Sequence, residues 1–169
     1  MHEDLKAACE VLRHDGTILY PTDTIWGIGC DATSEEAVRK VYKIKRRQDE
    51  KSMLVLVDSL EGLERYIAEI PEIARNILDV ADKPLTLILP GARNLAKNLV
   101  APDGSIGIRI TGDEFCKKLI AALGKPLVST PANFSGMLWP GNFQKIDTGI
   151  VSQVDYVVKW RQNERSGGR

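Results

Sequence analysis

The chain has 169 residues, 43% hydrophobic and 27% charged, an ordinary globular composition long enough for one buried core. Lysine plus arginine and aspartate plus glutamate both number 23, so net charge points to no partner and any pull on phosphate must come from local clustering. Cys9, Cys30 and Cys116 are far apart with no Cys-x-x-Cys pair, which argues against a disulfide framework or a zinc site; no signal region or membrane-length apolar run of roughly 20 residues is present, so a soluble, cytoplasmic protein with no membrane partner is expected.

In chain order, Leu5, Ala8, Cys9 and Leu12 recur at helical spacing, with Gly16 as the expected stop. A strand over 17–20 follows and leaves through Pro21-Thr22-Asp23-Thr24. Thr33-Ser34-Glu35-Glu36 has the form of a capping box and predicts a helix with Ala37, Val41 and Ile44 on its apolar face. The continuous apolar run 53–57 predicts a strand buried on both faces. Helices over 60–68 and 71–80, strands over 85–89 and 105–110, a helix over 113–123 closed by Gly124, and strands over 127–130 and 154–160 complete the pattern. One domain over 1–162 is expected, with a mobile polar tail over 163–169. The expected fold class is α/β, a mixed sheet with helices packed against it.

Four polar constellations stand at the ends of these apolar elements, where open α/β sheets tend to bind ligands. Thr22, Asp23 and Thr24 read as a polar turn or as a ligand-binding strand end. Lys43, Lys45, Arg46 and Arg47, with Lys51 behind them, exceed the one or two cations that a helix dipole explains, at about 0.3–1 kcal/mol each, and favour a polyanionic partner. Arg109, on the apolar strand Ser105-Ile-Gly-Ile-Arg109, needs a carboxylate or phosphate, or else a structural ion pair. Ser129-Thr-Pro-Ala-Asn133-Phe-Ser-Gly136 reads as a nucleotide-contacting loop or as a turn. Neither a P-loop nor a Gly-x-Gly-x-x-Gly fingerprint occurs, so ATP binding would require another architecture.

Taken together, Pro21-Thr-Asp-Thr-Ile-Trp-Gly27, Lys45-Arg-Arg47, Ser105-Ile-Gly-Ile-Arg109 and Ser129-Thr-Pro-Ala-Asn133-Phe-Ser-Gly136 resemble, in order and spacing, the motifs of the YrdC/TsaC family of threonylcarbamoyl-AMP synthases. The resemblance covers roughly residues 5–160. It implies a twisted mixed sheet with flanking helices around a concave basic cavity. The implied reaction joins L-threonine, bicarbonate or CO2, and ATP into threonylcarbamoyl-adenylate and releases pyrophosphate. Downstream transferase proteins then modify an adenosine of tRNA. Carried over by position, Thr24, Arg109 and Ser129 bind threonine; Arg47, Lys51, Ser105 and Asn133 face ATP; Lys45 and Arg47 carry the catalysis. Trp26 stands where the family has tyrosine and is expected to wall the pocket. Mg2+ is expected to arrive with ATP, with no protein metal site.

The chain departs from the family pattern at several places. Pro131 replaces a serine and so removes a hydroxyl and a backbone N–H. Gln48 replaces a proline after the Lys-x-Arg motif, and Leu56 stands where some members carry histidine. The family continues beyond Val157-Val158-Lys159-Trp160 into a Pro-Ser-Thr-like segment that residues 165–169 do not resemble, so a cavity open on that side is expected. Two other readings follow: a non-catalytic relative that binds double-stranded RNA or tRNA, and a carbamoyl-chemistry enzyme with a different acceptor, like the related domain of hydrogenase-maturation proteins.

Overall fold

A computed structural model describes residues 1–46, 53–134, 136, 138 and 140–164. Seven strands form one mixed sheet in the order β4-β5-β3-β6-β2-β1-β7. They are β1 (Ile18–Tyr20), β2 (Gly27–Gly29), β3 (Leu54–Val57), β4 (Thr86–Leu89), β5 (Ile106–Ile110), β6 (Leu127–Pro131) and β7 (Tyr156–Val157). Among the described residues only the β1–β7 and β3–β5 pairs are parallel. The helices are α1 (His2–Arg13), α2 (Glu35–Lys45), α3 (Leu60–Tyr66), α4 (Glu72–Val80), α5 (Glu114–Leu123) and α6 (Thr148–Gln153).

Strand register sorts the side chains between two faces, because successive residues alternate. Leu19, Ile28, Val128, Val55, Val57, Ile106 and Ile108 share one face and are all buried. Helix α3 packs there, so closely that a Cβ on Gly62 would lie 3.4 Å from the Val57 Cβ. Tyr20, Gly27, Pro131, Ser129, Leu54, Leu56, Gly107 and Arg109 share the other face. Near β4 that face is open, and Ile88 is 78% exposed.

Several elements start or stop for reasons the linear pattern does not contain. The cap of α2 is Ser34, which accepts from the Ala37 N–H at 3.1 Å; Thr33 is committed to Asp31 Oδ1 through its N–H and its hydroxyl, at 2.8 and 2.7 Å. Helix α1 closes at His14, and the left-handed residue beyond it is Asp15 (φ 60°), not Gly16. At α5 the expectation holds: Asp113 accepts from the Cys116 N–H at 2.9 Å, and Gly124 takes the left-handed closing conformation.

Strand β7 stops after two residues instead of running to Trp160. The buried carboxylate of Asp4 accepts from the Lys159 and Trp160 N–H groups at 2.9 and 3.0 Å and pulls that backbone off the sheet edge. Strand β2 has no place in the sequence reading because Gly27-Ile28-Gly29 carries only one side chain that could signal a strand. Those glycines are a packing requirement: a Cβ on Gly29 would lie 2.4 Å from the Tyr20 ring and 2.7 Å from the Val128 carbonyl.

All three cysteines are buried and free. Burial, reinforced by nearby Asp31 for Cys30 and Asp113 for Cys116, pushes both thiols well up, so neither is a thiolate at neutral pH. Among the described residues no helix is long and apolar enough to cross a membrane.

Candidate active site

The turn after β1 is held by its own hydroxyls. The Thr22 hydroxyl donates to the Ile25 carbonyl at 2.6 Å and accepts from the Thr24 N–H at 3.2 Å, and the two threonine hydroxyls stand 3.2 Å apart. This short-range bonding is the reason a chain leaves a strand through Pro-Thr-Asp-Thr. It directs Asp23 away from β1 and toward the far end of β5.

There the Asp23 carboxylate accepts through Oδ2 from the Gly112 N–H at 3.0 Å and from the Thr111 hydroxyl at 3.2 Å. Its Oδ1 lies 3.4 Å from Nη2 of Arg109, with the two side chains 11% and 8% exposed. Asp23 Oδ1 and Arg109 Nε are both buried without a hydrogen-bond partner. A buried polar atom with no partner costs about 1–3 kcal/mol, more when charged, so the guanidinium presents an edge suited to a further anionic oxygen. Of the two alternatives open for Arg109, the ion pair within the fold is present, and its Nε is left without a hydrogen-bond partner.

Ser129 lies on the same face as Arg109, two rows nearer the opposite end of the sheet and separated from it by β3. A Cβ on Gly27 would fall 3.2 Å from its hydroxyl, so glycine makes room for it. Tyr20 donates to the Val128 carbonyl at 2.9 Å. Burial, reinforced by Cys116, pushes its phenol well up against the opposing pull of the Ser129 hydrogen bond and of Arg109, so it stays a neutral O–H donor.

Lys45 and Asn133 meet beside Pro131 at the end of β6, whose row lies four residues, or about 13 Å along the strands, from that of Arg109. Lys45 is the last residue of α2 and only 2% exposed. Its Nζ donates to the Pro131 carbonyl at 2.7 Å and to Asn133 Oδ1 at 2.6 Å. Ser105, just before β5, stands at the same sheet end, with its N–H and hydroxyl both given to Asp103 Oδ1 at 2.9 and 2.6 Å. Those two bonds lower the Asp103 pKa. Arg47 and Lys51 lie outside the described residues.

Side-chain contacts bring Asp23 of the Thr22–Thr24 turn to Arg109 near the end of β5, while by register Ser129 lies midway between the Arg109 row and the row of Pro131 and Ser105, beside which Lys45 and Asn133 meet. Among the described residues of the basic run the side chains diverge: Lys43 is exposed, Lys45 is buried, and Arg46, left-handed at φ 57°, lies 4.0 Å over the Phe134 ring. One expectation changes, that for Trp26. Trp26 is not a pocket wall, being 2% exposed and packed against Phe143 with ring centroids 4.9 Å apart. What the sequence reading did not assign is a role for Asp23; its place beside two threonines suggested a polar turn, and nothing local tied it to Arg109. Among the described residues no group of three or more His, Cys, Asp or Glu could hold a metal ion.

The similarity of this chain to characterised proteins is extensive. The threonylcarbamoyl-AMP synthase of Pseudoalteromonas translucida is 33% identical over 157 residues, 91% of this chain and 84% of that protein. The threonylcarbamoyl-AMP synthase of Psychromonas ingrahamii is 33% identical over 138 residues, covering 79% and 72%. Among solved structures, P. abyssi Sua5 complexed with L-threonine matches with a TM-score of 0.84 at 25% identity, over 90% of this chain and 45% of that one. E. coli YciO matches in fold with a TM-score of 0.81 at 24% identity, over 93% and 77%. The chain therefore spans less than half the length of Sua5 and most of the length of the curated relatives. The family model described as telomere recombination matches residues 10–167, and the chain belongs to the Sua5/YciO/YrdC family.

Proposed function

We propose that the chain is a threonylcarbamoyl-AMP synthase that uses L-threonine, CO2 or bicarbonate, and ATP. The observation that carries this reading is the Arg109–Asp23 pair, a buried guanidinium with one nitrogen unmatched, on a face that also bears Ser129. The α-carboxylate of threonine suits the open edge of Arg109, and the Thr24 and Ser129 hydroxyls suit its ammonium and side-chain groups. The naming of relatives at 33% identity and the threonine complex of Sua5 support the same reading.

The chemistry follows from that placement. The neutral amine of threonine forms a C–N bond to CO2 and loses a proton to solvent; from bicarbonate, that proton instead leaves with the expelled hydroxide as water. A carbamate oxygen then attacks the α-phosphorus, and the bond to the bridging oxygen of pyrophosphate breaks. The carbamate is short-lived in water, so holding both reactants on one face supplies most of the effect. Lys45 contributes a fixed positive charge at the far end, where the triphosphate and its Asn133 and Ser105 contacts are assigned, with Arg47 and Lys51. Mg2+ is assigned to the nucleotide, held by phosphate and water.

The adenylate then passes to transferase proteins acting on tRNA. We assign the reaction to the cytoplasm, where three free thiols remain reduced. The test is pyrophosphate release from ATP and bicarbonate with and without L-threonine, beside threonine calorimetry. Release that needs threonine supports the reading. Release indifferent to threonine, or salt-sensitive RNA binding without threonine binding, overturns it.

A further inference from the structure

Arg161 lies beyond the last strand, in a segment with no motif and no sequence signal. It adopts a left-handed backbone conformation (φ 66°), costly for a residue with a side chain and retained where the surroundings over-determine it. All three of its guanidinium nitrogens have partners on different segments. Nη1 meets Asp113 Oδ1 at 2.5 Å, Nε meets Glu164 Oε2 at 2.8 Å, and Nη2 donates to the Thr22 carbonyl at 3.2 Å. Asp113 is itself 9% exposed and caps α5 through its other oxygen.

These contacts close a ring. The Asp113 N–H donates to the Thr111 hydroxyl at 3.1 Å, that hydroxyl donates to Asp23 Oδ2 at 3.2 Å, and Asp23 is bonded covalently to Thr22, whose carbonyl returns to Arg161. The ring encloses the turn that aims Asp23 at Arg109. A second tie lies just outside it, where the Cys116 thiol meets the Pro21 carbonyl at 3.5 Å.

We propose that Arg161 is the positioning residue of the amino-acid site: by clamping the Thr22 carbonyl to Asp113, it holds the Pro21–Thr24 turn so that Asp23 orients Arg109. The proposal deepens the functional reading above and rests on it for the identity of the ligand. Arg161 touches neither Arg109 nor a substrate position. Its effect therefore falls on threonine affinity, with kcat and the KM for ATP much less affected. Asparagine at 113 keeps a helix-capping oxygen while removing the charge that Arg161 grips.

Two measurements on the full chain decide it. In Arg161→Gln, the threonine Kd by calorimetry should rise roughly tenfold, the scale of one hydrogen bond to a charged group. Arg161→Lys should recover part of this, and Asp113→Asn should show a similar rise that does not add to it in the double variant. Separately, native-state thiol labelling read by mass spectrometry should speed up at Cys116 and leave Cys9 and Cys30 as in the wild type. Equal acceleration of all three thiols, or an unchanged Cys116 rate, overturns the clamp. A faster Cys116 with unchanged threonine affinity overturns the positioning role. Where Arg161→Gln does not fold, Arg161→Lys and Asp113→Asn take the same two measurements. If the wild type binds no threonine, the functional reading fails, and with it the positioning role; labelling still decides whether the clamp exists.

Discussion

Arg109, on β5, and Lys45, where α2 meets the end of β6, are both nearly buried cations, yet they are held differently. Arg109 sits 3.4 Å from a carboxylate whose near oxygen is unmatched, and its own Nε has no partner. Lys45 is gripped at 2.6 and 2.7 Å by an amide oxygen and a backbone carbonyl. The loose pair leaves hydrogen bonds unmade, which is why the proposed function places the threonine carboxylate there. The tight one ties α2 to the end of β6, so its removal strips a donor from two oxygens as well as the charge that the proposed function assigns to the phosphates.

The largest effect is expected from Lys45→Ala. It should lower kcat for threonine-dependent pyrophosphate release roughly 10²–10³-fold, the loss typical of one preorganised donor at developing charge. It should also cost about 1–3 kcal/mol in denaturant unfolding, because two oxygens lose their donor. Near-normal turnover would remove the distinction between the two ends.

Arg109→Gln should weaken threonine binding by roughly 10–100-fold, the scale of a charged hydrogen-bonded contact, and should destabilise the fold by stranding Asp23. Adding Asp23→Asn should restore stability without restoring affinity. Recovery of threonine binding in the double variant would show that Arg109 serves the fold alone.

Pro131→Ser acts at the Lys45 end only. A regained N–H and hydroxyl should tighten ATP about two- to tenfold, the range for one neutral hydrogen bond, and leave threonine affinity unchanged. A change in threonine affinity instead would mean that the two ends are coupled.

The smallest effect lies away from both. Burial and the hydrogen bond to Asp4 push the Tyr156 phenol up to about 12 from 10.0. Because the unfolded chain releases this proton first, the stabilisation is complete below about pH 10 and is lost as pH rises toward about 12. Tyr156→Phe should flatten unfolding free energy against pH over that window while both ligand affinities stay unchanged.

Elements whose signals are local were legible. The apolar runs that became β3 and β4, the Asp113 cap and Gly124 closure of α5, and the helical spacing of α1 and α2 needed no distant partner to be seen. Elements that depend on distant groups were not. β2 is a strand because Tyr20 and Val128 lie against its glycines, α3 ends where Ala68 N–H turns to the Gly91 carbonyl, and β7 ends where Asp4 takes its backbone. Strand register decides which residues share the site, because a shift of one residue moves every side chain to the opposite face.

By itself the sequence determined the α/β alternation, the family, and the residue types at the four strand and helix ends, since each is written in neighbouring residues and their spacing. Only the tertiary structure decided that Asp23 reaches Arg109, that Lys45 is drawn inward while Arg46 turns out, and that Arg161 closes a ring around the Thr22 turn. These contacts join residues up to 139 positions apart, and chain folding, which carries no mark in local composition, is what brings them within hydrogen-bond reach.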